Sequence, residues 1–236
     1  MTQEEWLVCG DPTPMLAHLL GPATVVTPPV NNSGWTLGTY PEKQTTDRKL
    51  RLFSVACCVR IWSLITDPRS QRAVEIGERY ADGAVEKWEF DHARNEAGCV
   101  YRHGDFDGNF SAGEAALLPV DPDSATSAMD GATLAAEVVG NGNGPDEGEQ
   151  AEQTKLLRDI FGNPFRPIAF DPAWRTSTAV ALAQQMYESR DFSAMPILAD
   201  ALQDAGCEHN DILDHCRGDG THVRGCWVVD LVLAKV

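Results

Sequence analysis

A chain of 236 residues with 43% hydrophobic residues can bury a core without disulfide or metal staples, and is too apolar to be disordered as a whole. Its 19 Lys and Arg stand against 35 Asp and Glu, a formal charge of −16. Nucleic acid and anionic membranes therefore repel it at long range, and neither is expected as a direct partner. The start, Met1 to Trp6, has no basic stretch with an apolar run behind it, so no secretory signal is expected. The longest apolar run, 55–65, is broken by Arg60 and Ser63 and is too short to cross a bilayer. Seven cysteines in a chain of this kind read as reduced thiols, and the expected location is cytoplasmic.

In chain order, a short helix follows Asp11-Pro12-Thr13-Pro14, with Met15, Leu16, Leu19 and Leu20 apolar. Residues 21–46 carry Pro22, Pro28, Pro29, Pro41, Gly34 and Gly38, which no helix interior tolerates. Val25-Val26 and Trp35-Thr36-Leu37 pair as a small β-hairpin at 25–37, or the stretch is an irregular surface loop. The first helical block, 47–98, opens with Leu50, Phe53, Cys57, Ile61 and Leu64 at helical spacing. Leu52, Val55, Val59 and Trp62 widen that stripe almost all round, the pattern of a central, buried helix. Cys57 and Cys58 point about 100° apart on it and are not expected to bond to each other. Asp67-Pro68 ends this helix and starts the next, Asp as N-cap and Pro in the first helical position. Gly83 stops that helix, and a third spans 86–97.

Residues 99–153 form an acidic insert with eleven Asp and Glu against one basic side chain, Arg102. With the linker-like 140–145 run, much of it is expected to be mobile, apart from one weak Ala-rich helix over 124–139. The second helical block, 154–236, ends a first helix at Leu156, Leu157, Ile160 and Phe161. Asp171-Pro172 then opens a helix, 196–205 is another, and Asn210 caps a short one to Arg217. Thr221 caps a final helix, which would place His222 and Cys226 one turn apart on one face. Strand-like alternation is nearly absent. The expected fold is all-α: one domain, 1–236, an irregular multi-helix bundle with long loops. Phe53, Cys57, Ile61, Trp62, Trp174, Leu198, Trp227 and Leu231 are its expected core.

Several sequence words carry a resemblance. They are Asp47-Arg48-Lys49-Leu50-Arg51-Leu52-Phe53, Ala56-Cys57-Cys58-Val59-Arg60-Ile61-Trp62 and the run from Leu157 to Pro167. The most specific are Ile212-Leu213-Asp214-His215-Cys216-Arg217 and His222-Val223-Arg224-Gly225-Cys226-Trp227-Val228-Val229-Asp230. Together they resemble a family of uncharacterised bacterial proteins, frequent as paralogues, whose members lack much of the 21–46 loop and vary across 99–153. The resemblance implies one helical unit built from both blocks, and implies no activity, cofactor or site.

The densest group of potential ligands is C-terminal: Cys207, His209, His215, Cys216, His222 and Cys226. Zinc takes four such donors in a tetrahedron, and Cys207, His215, Cys216, His222 and Cys226 are the ligands to test first. Against this stand the absence of a Cys-x-x-Cys pair and the neighbouring Ile212, Leu213 and Trp227, which mark core; buried Cys packs as a small hydrophobe. The packed-core reading is preferred, and no resident cofactor is expected. His222 activating Cys226 as a nucleophile is disfavoured for the same reason. Asp105-Phe106-Asp107-Gly108-Asn109 fails the calcium-loop pattern, with Phe110 and Ala116 where Gly and Glu are required. Arg48, Lys49, Arg51, Arg60, Arg69 and Arg72 form the one basic concentration; it suits docking within the molecule at least as well as nucleic-acid contact.

No catalytic constellation stands out. The favoured expectation is a non-enzymatic acidic helical accessory or adaptor protein. Its protein partner would present a basic surface to Asp105, Asp107, Glu147, Glu149, Trp35 and Tyr40. The alternative is a small zinc-stabilised helical regulatory domain using the C-terminal cysteines and histidines.

Overall fold

The sequence pattern around residue 50 demands a helix with no solvent face, and the rest of the fold is arranged to cover it. In the computed structural model, which describes residues 1–21, 47–103 and 110–235, that helix is α3 (Asp47–Arg60). Before it come α1 (Gln3–Val8) and α2 (Pro12–Leu20); after it come α4 (Pro68–Ala81), α5 (Lys87–His103), α6 (Phe110–Ala115), α7 (Ser124–Gly140) and α8 (Glu147–Phe161). The chain closes with α9 (Ser177–Ser189), α10 (Met195–Asp204), α11 (Asn210–Arg217) and α12 (Trp227–Leu233). The described residues are all-α, with no strand among them, and none of their helices is long and apolar enough to cross a membrane. The hairpin expected at 25–37 lies outside the described residues.

Asp supplies the starts. The carboxylates of Asp11, Asp67, Asp123, Asp146 and Asp171 each accept a backbone N–H from the first turn that follows. Asp171 opens only a 3-10 turn, Pro172–Trp174, and α9 is capped instead by Thr176. The expected 86–97 helix runs on through Gly98 to His103.

Among the described residues, buried apolar side chains fall into three clusters. The first gathers Trp6, Met15, Leu50, Phe53, Cys57, Ile61, Ala128, Ala132, Leu156, Leu157 and Ile160 from α1, α2, α3, α7 and α8. A small one joins Ala73, Ile76, Phe90 and Ala93 between α4 and α5. The third belongs to α9–α12, with Met186, Leu198, Leu202, Ile212, Cys216, Cys226 and Val229. Of the expected core, Phe53, Cys57, Ile61 and Leu198 are buried, whereas Trp62, Trp174, Trp227 and Leu231 keep partly exposed edges.

The largest departure from expectation is the acidic insert. From Phe110 onward it is helical, and α7 is a central element packed along α3. Apart from Val138 near its end, its buried residues are all small: Ser124, Ala125, Ser127, Ala128, Gly131, Ala132, Ala135 and Ala136. Small side chains let two helix backbones approach closely, so a composition that reads as weak helix becomes tight packing. A Cβ on Gly131 would sit 2.8 Å from the Ser54 hydroxyl oxygen. The insert is also bound by charge: Arg60 grips the Glu149 carboxylate through Nε at 2.8 Å and Nη2 at 2.9 Å.

The basic concentration of α3 turns inward. Arg51 donates to the carbonyls of Pro119 (2.6 Å) and Asp121 (2.7 Å) and lies over the Phe90 ring. Lys49 donates to the Ile160 carbonyl at 2.8 Å. Arg48 reaches Asp230 on α12 at 2.6 Å, Asp82 at 3.0 Å and the Tyr187 hydroxyl at 2.8 Å. This is docking within the molecule, and it ties the first cluster to the third.

Gly77 gives a test of the packing. A Cβ there would lie 2.6 Å from both Cβ and O of Pro119, a backbone contact that cannot swing aside. Although Ala is the better helix former, Gly77→Ala should destabilise the fold by about 1–3 kcal/mol, the range for overpacking. Urea denaturation measures this; a variant as stable as the parent would show that α4 can shift freely.

Candidate metal centre

Asp159 sits on α8 one residue before Ile160 and three after Leu156, on the face that carries the helix into the first cluster. A carboxylate on such a face, 3% exposed at its side chain, must be compensated. The compensation comes from a stretch more than fifty residues later. His215 is in the last turn of α11, whose Ile212, Leu213 and Cys216 are buried in the third cluster. His222 and Cys226 follow in the connection to α12. They do not share a helix face, as the sequence suggested, because the last helix begins only at Trp227. The connecting loop turns at Gly225, with φ +94°; a Cβ there would lie 3.0 Å from Leu52 Cδ1, so this position needs glycine both for its backbone and for its closeness to α3.

The four side chains aim one atom each at a common point. Nδ1 of His222 lies 2.7 Å from Oδ1 of Asp159, and Nε2 of His215 lies 3.3 Å from the same oxygen. Sγ of Cys226 is 3.2 Å from Nε2 of His215 and 3.8 Å from Nδ1 of His222. All four atoms lie within 4.8 Å of one another. Around them, Asp159 Oδ2 accepts the backbone N–H of Val223 at 2.9 Å, which fixes the carboxylate. The two imidazoles meet edge to face at 4.9 Å, and Trp227 packs against His215 on one side and Gly162 on the other. Nε2 of His222 is buried with no partner, so whatever holds this ring acts through Nδ1.

Burial pushes the Cys226 thiol well above its ordinary range, and the Asp159 carboxylate pushes it further. Burial would also raise Asp159, but hydrogen bonds from His215 and His222 outweigh it and hold the carboxyl below its usual value. Lys49, partly buried, lies within electrostatic reach of both; burial lowers its pKa, against the pull of Asp230.

A nucleophile relay needs one ring with its two nitrogens on different partners, the acid on one and the nucleophile on the other. Here each ring uses a single nitrogen for both Asp159 and Cys226, and the thiol is fully buried. Convergence on one point is instead what a cation requires. A zinc ion with bonds of about 2.0–2.3 Å sets its ligand atoms about 3.3–3.7 Å apart at the edges of a tetrahedron, and the measured separations bracket that range.

Of the five ligands named from sequence, the structure brings His215, His222 and Cys226 together. Cys207 and Cys216 are buried in the third cluster instead, and burial lifts the Cys216 thiol to about 12. Asp159 was missed; a charged residue on the apolar face of α8 is the signal that marks it. Among the partner-binding candidates, Asp105, Asp107, Trp35 and Tyr40 lie outside the described residues. Glu147 is exposed at the start of α8. Glu149 is corrected: it is 6% exposed and held by Arg60, so it is not offered to a partner.

No protein-family model, curated protein or solved structure matches this chain.

All seven cysteines are thiols, and only Cys9 and Cys99 have partial exposure. The native protein should therefore react promptly with a chromogenic disulfide reagent at no more than two thiols, and at all seven after denaturation in guanidinium. Rapid native reaction of Cys226 would show that this centre is open.

Proposed function

We propose that this chain is a zinc-binding helical protein in which Asp159, His215, His222 and Cys226 form a closed four-ligand structural site. The observation that carries the reading is the convergence of four donor atoms, within 4.8 Å of one another, from residues whose side chains are mostly buried. Two imidazoles, a thiolate and a carboxylate are a borderline-soft set that suits zinc and disfavours calcium and magnesium, which take oxygen ligands. The charges also suit it: one carboxylate and one thiolate balance a divalent ion in a place where an unbalanced charge is costly. Four protein ligands leave no open position for a substrate water, which supports a structural or regulatory role over a catalytic one. His215 alone of the four lines the groove formed with Trp6, Phe161, Ile168 and Trp227.

Cobalt substitution tests this. The full chain should bind one Co²⁺ and show the strong visible bands of a tetrahedral site with a thiolate-to-metal band in the near ultraviolet. Cys226→Ser should abolish the thiolate band, and zinc should displace the cobalt. A chain that takes up no cobalt or zinc, or whose bands persist in Cys226→Ser, overturns the assignment.

A second reading is supported by the inward turn of the basic side chains. Arg48, Lys49 and Arg51 are engaged inside the molecule and Arg60 is paired with Glu149, so the basic side chains of α3 do not form a basic surface of their own on a chain of formal charge −16. That supports an accessory or adaptor role toward a protein with a basic face, in a reducing compartment such as the cytoplasm. Exposed acids raise encounter rates more than final affinity. Association with a partner recovered from native cells should slow markedly as the Debye length shrinks from about 30 Å to about 8 Å between low and physiological salt. A rate that does not depend on salt removes this reading.

A further inference from the structure

The four candidate ligands do not come from one part of the fold. Asp159 is carried by α8, whose Leu156, Leu157 and Ile160 are anchored in the first hydrophobic cluster. His215, His222 and Cys226 are carried by the C-terminal unit of α9–α12, whose own cluster includes Cys226 and, next to His215, Cys216. The site therefore straddles the seam between the two.

Much else that crosses the seam is ionic or polar. Glu78 on α4 pairs with Arg190 and with Arg224, the latter at 3.1 Å. Asp82 accepts from the Tyr187 hydroxyl, and Lys235 lies 3.4 Å from it. Arg48 holds Asp230. The apolar ties are local: Trp227 against Gly162, Val223 against the first cluster, and the Gly225 backbone against Leu52 and Ile160. Ion pairs and hydrogen bonds exchange for water with a small net change, so they direct docking more than they enforce it. The chain between α8 and α9 is irregular apart from one 3-10 turn and carries Pro164 and Pro167; Phe165 packs on the first cluster, and Ile168, Phe170 and Trp174 pack on the third.

We infer that metal occupancy at Asp159, His215, His222 and Cys226 controls the docking of the α9–α12 unit onto the N-terminal clusters, acting as a removable clasp across the seam. This rests on the zinc reading above. With the ion bound, α8 and the loop before α12 share one coordination sphere. With it removed, a buried carboxylate loses the cation that balances it, and the three remaining donors stay with the C-terminal unit, which swings on the short stretch between Phe165 and Ile168.

Hydrogen exchange on the full chain tests it, after zinc stoichiometry has been measured. Stripping the zinc with a chelator should speed exchange at least tenfold at the Val223 amide, whose acceptor is Asp159, and along the Tyr187 and Asp230 side of the seam. Amides of α3 and α7, and those within α10 and α11, should keep their rates, and added zinc should reverse the change. Asp159→Ala should bind zinc at least about tenfold more weakly, since even the loss of a residue that only orients a ligand costs this much. It should also keep the fast exchange at the seam when saturated with zinc. If that variant does not fold, Asp159→Asn serves, as it preserves volume and one oxygen. Zinc that binds and leaves without changing seam exchange overturns the clasp alone, as does loss that speeds α3 and α7 equally. A chain that binds no zinc overturns the site and the clasp together.

Discussion

A charge taken out of water must meet an opposite charge or a full set of hydrogen bonds, and this constraint decides how the halves of the molecule are joined. Asp159, Asp230, Glu78 and Asp82 are all buried or nearly so at the seam between the N-terminal clusters and the α9–α12 unit. Each is answered from across it: Asp230 by Arg48, Asp82 by Lys235 and the Tyr187 hydroxyl, Glu78 by Arg190 and Arg224, Asp159 by two histidines and the Val223 amide. Oil-like packing would tolerate many relative positions of two helical units. Directional pairs of this kind tolerate few, so the seam is specified geometrically even where ion pairs add little net stability. The same arrangement engages Arg48 across the seam.

Much of the fold could be read from the residues. The all-round apolar pattern of α3 and the Asp-Pro starts of α2 and α4 follow from periodicity and capping, which are local. The α11 helix spans the expected residues, but Asn210 is its first helical residue and not its cap, and neither α10 nor α11 has a side-chain cap. What could not be read depends on partners far away in the chain. Ala-rich α7 has little hydrophobic signal of its own. Its central place follows from how closely an Ala and Gly face lets α3 approach, and only the assembled pair reveals that. The last helix begins six residues later than its capping signal at Thr221, because the 218–226 segment is committed to ligand-like contacts instead of to a turn of helix.

The candidate site was legible by half. His215, His222 and Cys226 stand out in a region dense in histidine and cysteine, but density alone also proposed Cys207 and Cys216, which the apolar interior of the C-terminal unit absorbs. Asp159 has no neighbour of its own chemistry in the sequence. Its significance lies in a conflict between a charged residue and the apolar face it occupies, and Asp230, between Val229 and Leu231, shows the same conflict. Such misplaced acids are the more informative signal here.

The loop that closes through Asp159 differs in kind from the one that closes through the other three donors. His215 and Cys226 are 11 residues apart in the chain, but Asp159 and His215 are separated by 56. A cross-link limits the freedom of an unfolded chain in proportion to the logarithm of the loop it closes, so the longer closure restricts it by about 1.4 kcal/mol more than the shorter one. With Asp159 included, α9 and α10 lie inside a ring whose ends are pinned. With Asp159 absent, only the turn between α11 and α12 is enclosed. In the proposed zinc site, one carboxylate therefore sets whether the ion organises a loop or the topology of the whole C-terminal unit.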